Sequence, residues 1–160
     1  MRAIPNTPAL IGKGISGAFA APSVDAAGRA LVSSVLAAAG EQIWVDDEAM
    51  LDAVTAVSGS GPAYLFYFLE ALEAAARELG LSPEAARKLA YATFAGAIAL
   101  GEASPAEPAA LRAQVTSKGG TTERAIATME AGGVKATIVA AVKAAALRAA
   151  EMGDAFGADA

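Results

Sequence analysis

Cysteine and histidine are both absent from the 160 residues. Without cysteine there is no disulfide framework, no thiol nucleophile and no thiolate metal site. Without histidine the commonest general base and the commonest metal ligand are missing, so no metal centre is expected. Positive charge is scarce too: 12 Lys and Arg stand against 17 Asp and Glu, giving a formal charge of −5 and a pI near 4.7. That balance argues against nucleic acid as a partner. No apolar run suits a bilayer, since the most apolar late stretch, 136–150, is short and interrupted by Lys143 and Arg148. Met1-Arg2 leads at once into a proline-containing segment rather than an export signal. The expectation is a soluble protein of a reducing, cytoplasmic compartment with no membrane partner.

What is abundant is alanine and other apolar residues. Hydrophobic residues make up 55% of the chain and the mean hydropathy is +0.43, high for a soluble monomer. Alanine favours helix and close helix packing. The length supports one domain, or one domain plus a fragment, with a real core.

Residues 1–45 have mixed character. The glycine-rich stretch from Ile11 to Phe19 is expected to form a short strand. Ser23 is a plausible N-cap for a helix over about Asp25 to Ala39, closed by Gly40. Ile43-Trp44-Val45 then reads as a short buried strand, completing a β-α-β unit. From Asp46 onward the pattern is helical. Met50, Val54 and Val57 form a stripe behind the acidic start Asp46-Asp47-Glu48. Thr55 and Ser60 fall in a turn before a helix whose first position suits Pro62, with Ser60 read as its cap. Leu65, Leu69, Leu72, Ala76 and Leu79 line one face of that helix until Gly80. Ser82-Pro83 restarts a helix to about Leu100 that is apolar nearly all round, as in a large core or an interface. Ser104 and Glu107 have capping-box spacing, and Pro108 is an equally good start. A short helix ends before Ser117, another runs from Thr121 or Thr122 to Ala131, and a last one from Val134 to Met152. Tyr64, Phe66, Tyr67 and Phe68 read as core or interface rather than as a ligand platform.

Gly12-Lys13-Gly14-Ile15-Ser16-Gly17 fits the dinucleotide-binding pattern G-x-G-x-x-G. That pattern works only with a strand before it, a helix opening on it and an acid about twenty residues on. Here Ala21-Pro22 follows almost at once and position 34 is a serine. The match is read as chance.

Val115-Thr116-Ser117-Lys118-Gly119-Gly120-Thr121-Thr122, followed by Glu123-Arg124-Ala125-Ile126, reads as a glycine turn feeding the first turn of a helix. Such a start carries unpaired N–H groups and partial positive charge. The two glycines let a small anion approach the backbone, and Ser117, Thr121 and Thr122 add hydroxyls. The same residues also suit an ordinary helix cap.

Three separated segments decide between these readings. They are Arg2-Ala3-Ile4-Pro5-Asn6-Thr7-Pro8-Ala9-Leu10, then Asp52-Ala53-Val54-Thr55-Ala56-Val57-Ser58-Gly59-Ser60-Gly61-Pro62-Ala63-Tyr64, then Leu111-Arg112-Ala113-Gln114 running into the Ser117 loop. In this order they closely resemble the pyrroline-5-carboxylate reductases of proline biosynthesis, from Arg2 to about Gly153. The resemblance implies a mainly α fold, with a helical dimerisation domain preceded by a short β-α-β remnant of a Rossmann-type domain. Residues 1–45 would be the tail of the NAD(P)-binding domain and 46–160 the dimerisation and substrate-binding domain. Most of the cofactor half would lie outside the chain, which alone is expected to be inactive.

The implied reaction is NADPH- or NADH-dependent reduction of 1-pyrroline-5-carboxylate to L-proline in a homodimer or larger homo-oligomer. Hydride transfer to an already electrophilic protonated imine needs positioning more than side-chain chemistry. On the resemblance, Ser117, Gly119, Gly120 and Thr121 bind the substrate carboxylate, and Thr122 bonds to the ring nitrogen as the catalytic residue. Glu48 corresponds to an acid near the substrate, though it equally suits a helix first turn. Asn6, Thr7 and Gln114 would approach the cofactor, Gln114 reading equally as a solvated helix residue. Lys118 stands where the family commonly has proline; it either assists carboxylate binding or lies in solvent. Two other classes stay open, a catalytically inactive helical oligomerisation domain and an unrelated helical binding module.

Overall fold

The computed structural model describes residues 1–158. Two packing units divide it: residues 1–65 with 138–158, and Phe66–Thr137.

The first unit holds a three-stranded sheet in the order β1-β2-β3, formed by Arg2–Ile4, Gly14–Phe19 and Gly40–Val45. β2 and β3 are parallel, pairing Gly14 with Gly40 through Phe19 with Val45, and α1 (Ala26–Ala37) makes the crossover. The expected β-α-β unit is therefore present. β1 was not expected; it pairs antiparallel with β2, Arg2 opposite Phe19. A 3₁₀ turn over Thr7–Ile11 joins the two and ends at Gly12. The strand expected over Ile11 to Phe19 thus starts only at Gly14; Gly14 and Gly17 lie inside it and no helix opens on them, so the G-x-G-x-x-G match is spurious.

α1 is capped by Asp25, whose carboxylate accepts from Gly28 N–H at 2.8 Å, and not by Ser23. It meets β3 through Ser33, which accepts from Trp44 Nε1 at 3.3 Å, and Arg29, 5.2 Å from the Trp44 ring centroid. β3 is less buried than its apolar run suggests. Period-2 alternation covers one face with α1 and turns Ile43 toward an open groove.

α2 (Met50–Val54) lies on β2 and passes without a break in helical dihedrals into a π-helical turn, Thr55–Gly59, and then α3, Gly61–Glu78. The expected turn at Thr55–Ser60 is thus helical, and Ser60 is not a side-chain cap. Of the Met50, Val54, Val57 stripe only Val54 is buried; Met50 and Val57 line an apolar groove of about 300 Å³ with Ile15, Ile43 and Val45. β2 owes its close contact with α2 to glycine. A Cβ at Gly17 would stand 2.5 Å from Val54 Cγ1.

The second unit is helical. α3 ends at Glu78, ahead of Gly80, and Ser82 caps α4 (Pro83–Glu102) by accepting from Ala85 N–H at 3.2 Å. α5 (Pro108–Gln114) starts at proline with no side-chain cap, so the Ser104–Glu107 box does not form; Ser104 bonds to Ala106 N–H instead. α6 spans Thr121–Ala131; α7, Val134–Ala158, belongs to the first unit from Ile138 on and continues past Gly153. Only Ala86 and Ala90 of α4 and only Leu69 of α3 are buried, while Leu72, Leu79, Leu89 and Ile98 stay exposed. The apolar faces are not core of the single chain. No single helix among the described residues is long and apolar enough to cross a membrane.

Gly17→Ala should lower stability by about 1–3 kcal/mol through overpacking. Val54→Ala in the same chain should return part of that loss. Urea unfolding at one protein concentration measures both, and equal stability of Gly17→Ala and wild type would show that α2 is not held at this distance.

Candidate functional site

The turn between α5 and α6 brings the carboxylate-loop candidates together by chain geometry. Gly119 has φ +73°, a conformation that glycine alone adopts readily, and it reverses the chain into α6. Gly120 is the N-cap, in extended conformation with φ −83° and ψ 170°; its N–H closes the turn onto the Ser117 carbonyl at 3.0 Å. A Cβ at Gly120 would stand 2.6 Å from Ser117 Oγ, so glycine is what leaves the Ser117 hydroxyl its place.

Beyond the cap, no carbonyl or side chain among the described residues accepts from the N–H groups of Thr121, Thr122 or Glu123. These three donors point along the helix axis at its positive end. Thr122 is half-buried, whereas Ser117, Lys118, Gly119 and Thr121 are exposed. The arrangement can accept one small anion from the backbone and offers hydroxyls beside it. Gly119 N–H does not share in this freedom: it donates to Glu123 Oε2 at 2.6 Å. Gln114 ends α5 exposed, and Arg112 pairs with Glu130 at 3.2 Å, tying α5 to α6 below the loop.

Asn6, Thr7 and Glu48 belong to the first unit, the Ser117 loop and Gln114 to the second. Thr7 opens the 3₁₀ turn and is exposed. Glu48 precedes α2 rather than lying in its first turn, and its carboxylate meets Arg2 Nη1 at 2.8 Å, with both side chains largely exposed. Asn6 spans two elements. Its Oδ1 accepts from Ile15 N–H at 3.0 Å, and its Nδ2 donates to the Ser58 carbonyl at 3.2 Å. Ser58 is four residues before Pro62, which has no N–H to offer that carbonyl. Asn6 takes over the donor that proline lacks. One N–H and one lone pair of its amide remain for any other contact.

Comparison with known proteins assigns the chain to a family. Residues 48–152 match the family model described as pyrroline-5-carboxylate reductase dimerisation. The chain belongs to the pyrroline-5-carboxylate reductase family. It is 46% identical over 157 residues to the pyrroline-5-carboxylate reductase of Pseudomonas aeruginosa, covering 98% of this chain and 58% of that protein. The Haemophilus influenzae enzyme is 40% identical over 153 residues, 95% of this chain and 56% of its own length. Among solved structures, a pyrroline-5-carboxylate reductase from Coxiella burnetii superposes with a TM-score of 0.89 at 42% identity, covering 94% of this chain and 56% of that one. The Plasmodium falciparum pyrroline carboxylate reductase with NADP bound gives 0.90 at 30% identity, covering 94% and 62%. The chain thus spans a little over half the length of these pyrroline-5-carboxylate reductases.

Two features escaped sequence reading. Glu123 stands three residues after the N-cap, the capping-box position, which is a usable signal. The Asn6–Ser58 link had a weaker one, a proline placed just inside a helix whose preceding turn carries no cap.

Asn6→Ala would leave both the Ser58 carbonyl and the Ile15 N–H short of a partner, and should cost about 1–3 kcal/mol. Asn6→Asp keeps an acceptor for Ile15 but offers no donor to Ser58, and should be no better. Unfolding midpoints within error of wild type for both variants would rule out this structural role.

Proposed function

We propose that this chain supplies the substrate-carboxylate loop and the dimer interface of a pyrroline-5-carboxylate reductase, which reduces 1-pyrroline-5-carboxylate to L-proline with NADPH or NADH. The single observation that carries this is the free start of α6, three unpaired N–H groups beside the Ser117 and Thr122 hydroxyls, in a member of this family. Ser117 and Thr121 supply donors to the carboxylate cradle, and Gly119 and Gly120, whose own N–H groups are taken within the turn, leave the backbone open to the carboxylate. Thr122 contacts the ring nitrogen, holding its proton while the imine carbon is reduced. Glu48, engaged with Arg2, is assigned to the substrate side through family resemblance alone. The setting is cytoplasmic, with a small-molecule substrate and neither nucleic acid nor membrane as partner.

The cofactor's pyrophosphate does not fit the described residues. β2 runs through Ala21-Pro22 to α1, whose start already carries the Asp25 carboxylate on Gly28 N–H. A pyrophosphate there would meet an acid and no glycine turn. At the nicotinamide end, Asn6, Thr7 and Gln114 are the residues assigned to approach the cofactor. On this reading residues 1–45 are the tail of the cofactor domain and 46–160 the dimerisation and substrate domain; the family match beginning at residue 48 supports that division.

In an enzyme joining this chain to a complete cofactor domain, Thr122→Ala should reduce kcat/KM for 1-pyrroline-5-carboxylate about 2- to 12-fold, the loss of one hydrogen bond of roughly 0.5–1.5 kcal/mol. Steady-state kinetics indistinguishable from wild type would remove Thr122 from the site.

The exposed apolar faces of α3 and α4 call for a partner copy. The 160-residue chain should sediment as a dimer or larger at micromolar concentration, and the same sample should oxidise no NADPH with pyrroline-5-carboxylate. A stable folded monomer would refute the interface, and turnover would refute the cofactor argument. The alternative reading, an oligomerisation domain with no part in turnover, is favoured if the Thr122→Ala test fails while dimerisation holds.

A further inference from the structure

The carboxylate loop already holds a carboxylate. Glu123 folds back from the first turn of α6 so that Oε2 accepts from Gly119 N–H at 2.6 Å, a short, charge-assisted bond. Lys118 and Arg124 are its neighbours in sequence, yet neither they nor any other cation among the described residues forms an ion pair with Glu123; the four pairs present involve Glu48, Glu73, Glu130 and Glu151. Its charge is directed at the loop backbone.

We infer that Glu123 is a positioning and affinity-setting residue of the carboxylate loop, with two opposed effects. This rests on the function proposed above. As an acceptor, it holds Gly119 in its left-handed turn, and through Gly120 it keeps the Ser117 hydroxyl and the N–H groups of Thr121 and Thr122 in place. As an anion, it stands at the same helix end that must receive the substrate's carboxylate and repels it. The loop is ordered at the expense of affinity.

The two effects separate by substitution. Glu123→Gln keeps an oxygen acceptor for Gly119 N–H and removes the charge. Glu123→Ala removes both. In the enzyme joining this chain to its cofactor domain, Glu123→Gln should lower KM for 1-pyrroline-5-carboxylate about two- to fivefold, the range of a partly exposed charge interaction. That gain should shrink as salt rises from about 0.05 to 0.5 M, because screening removes only the repulsion. Glu123→Ala should raise KM and lower kcat, since a loosened loop misplaces the substrate.

A Glu123→Gln enzyme with wild-type or higher KM, or a gain that persists at high salt, overturns the charge effect. Glu123→Ala behaving like Glu123→Gln overturns the positioning effect. The underlying site is checked separately by Gly120→Val, which displaces the Ser117 hydroxyl. If Gly120→Val leaves KM and kcat as in wild type, the loop is not the carboxylate site and both readings fall together. If it impairs binding while the Glu123 variants match wild type, only the role of Glu123 falls.

Discussion

A proline inside a helix leaves a carbonyl without a donor, and the first unit of this protein is organised around how that carbonyl is satisfied. The chain is helical from Met50 to Glu78, yet Pro62 cannot donate to Ser58. Thr55 and Ser58 add to the disturbance by bonding back to the carbonyls of Leu51 and Val54. The helix widens into a π turn, closed by Ser60 N–H on Thr55 O at 2.8 Å. Asn6 supplies the missing donor from outside the helix, and its other end holds β2 at Ile15. One amide therefore joins the N-terminal strand segment, the central strand and the helical run. Gly17 lets that run lie close enough for the link to form, because any larger residue would push against Val54.

The loop before α6 solves a different problem with the same economy of side chains. A helix start must satisfy or expose its first N–H groups. Here one upstream donor, Gly119, is taken by Glu123, Gly120 is taken by Ser117, and the next three are left open. A backbone site of this kind needs neither histidine nor cysteine, and the chain has neither. Holding a carboxylate beside a ring nitrogen is a matter of placement, which glycines and a helix terminus can provide.

Most helix boundaries were legible because they are written in residues with strong local effects. Ser82-Pro83, Pro108, the Gly119-Gly120-Thr121 start and Gly132-Gly133 each act within one turn. Other features were not, for reasons that are also physical. Ser23 and Asp25 are both good caps two residues apart, and it is the Asp25 carboxylate that accepts from Gly28 N–H. β1 is three residues long and exists through its pairing with β2, which no local propensity reports. The last helix, expected over Val134 to Met152, continues through Gly153, which has open space around it inside α7. The acid at position 48 reads as a helix-start charge until Arg2, distant in sequence, is found beside it. At the loop, composition and spacing supplied the donors and the glycines, and family resemblance supplied the ligand.

Burial is where the sequence leaves a choice open, since an apolar helix suits a core or an interface equally. Apolar periodicity marks the face a helix must cover, but it does not say whether the cover comes from the same chain. Apart from Leu69, the leucines that α3 and α4 place on their apolar faces lie partly or well exposed, as do Met50 and Val57 beside the sheet. Alanine, by contrast, is buried at positions 18, 20, 56, 86 and 90, where close backbone approach leaves little room. On the proposed dimer, the displayed large residues are the surface a second copy covers. Such surfaces gain the most when a second copy covers them, and residues 48–152 match a family model described by dimerisation. Self-association on this view belongs to the folding of the helical part, because the area it removes from water is what the single chain fails to bury.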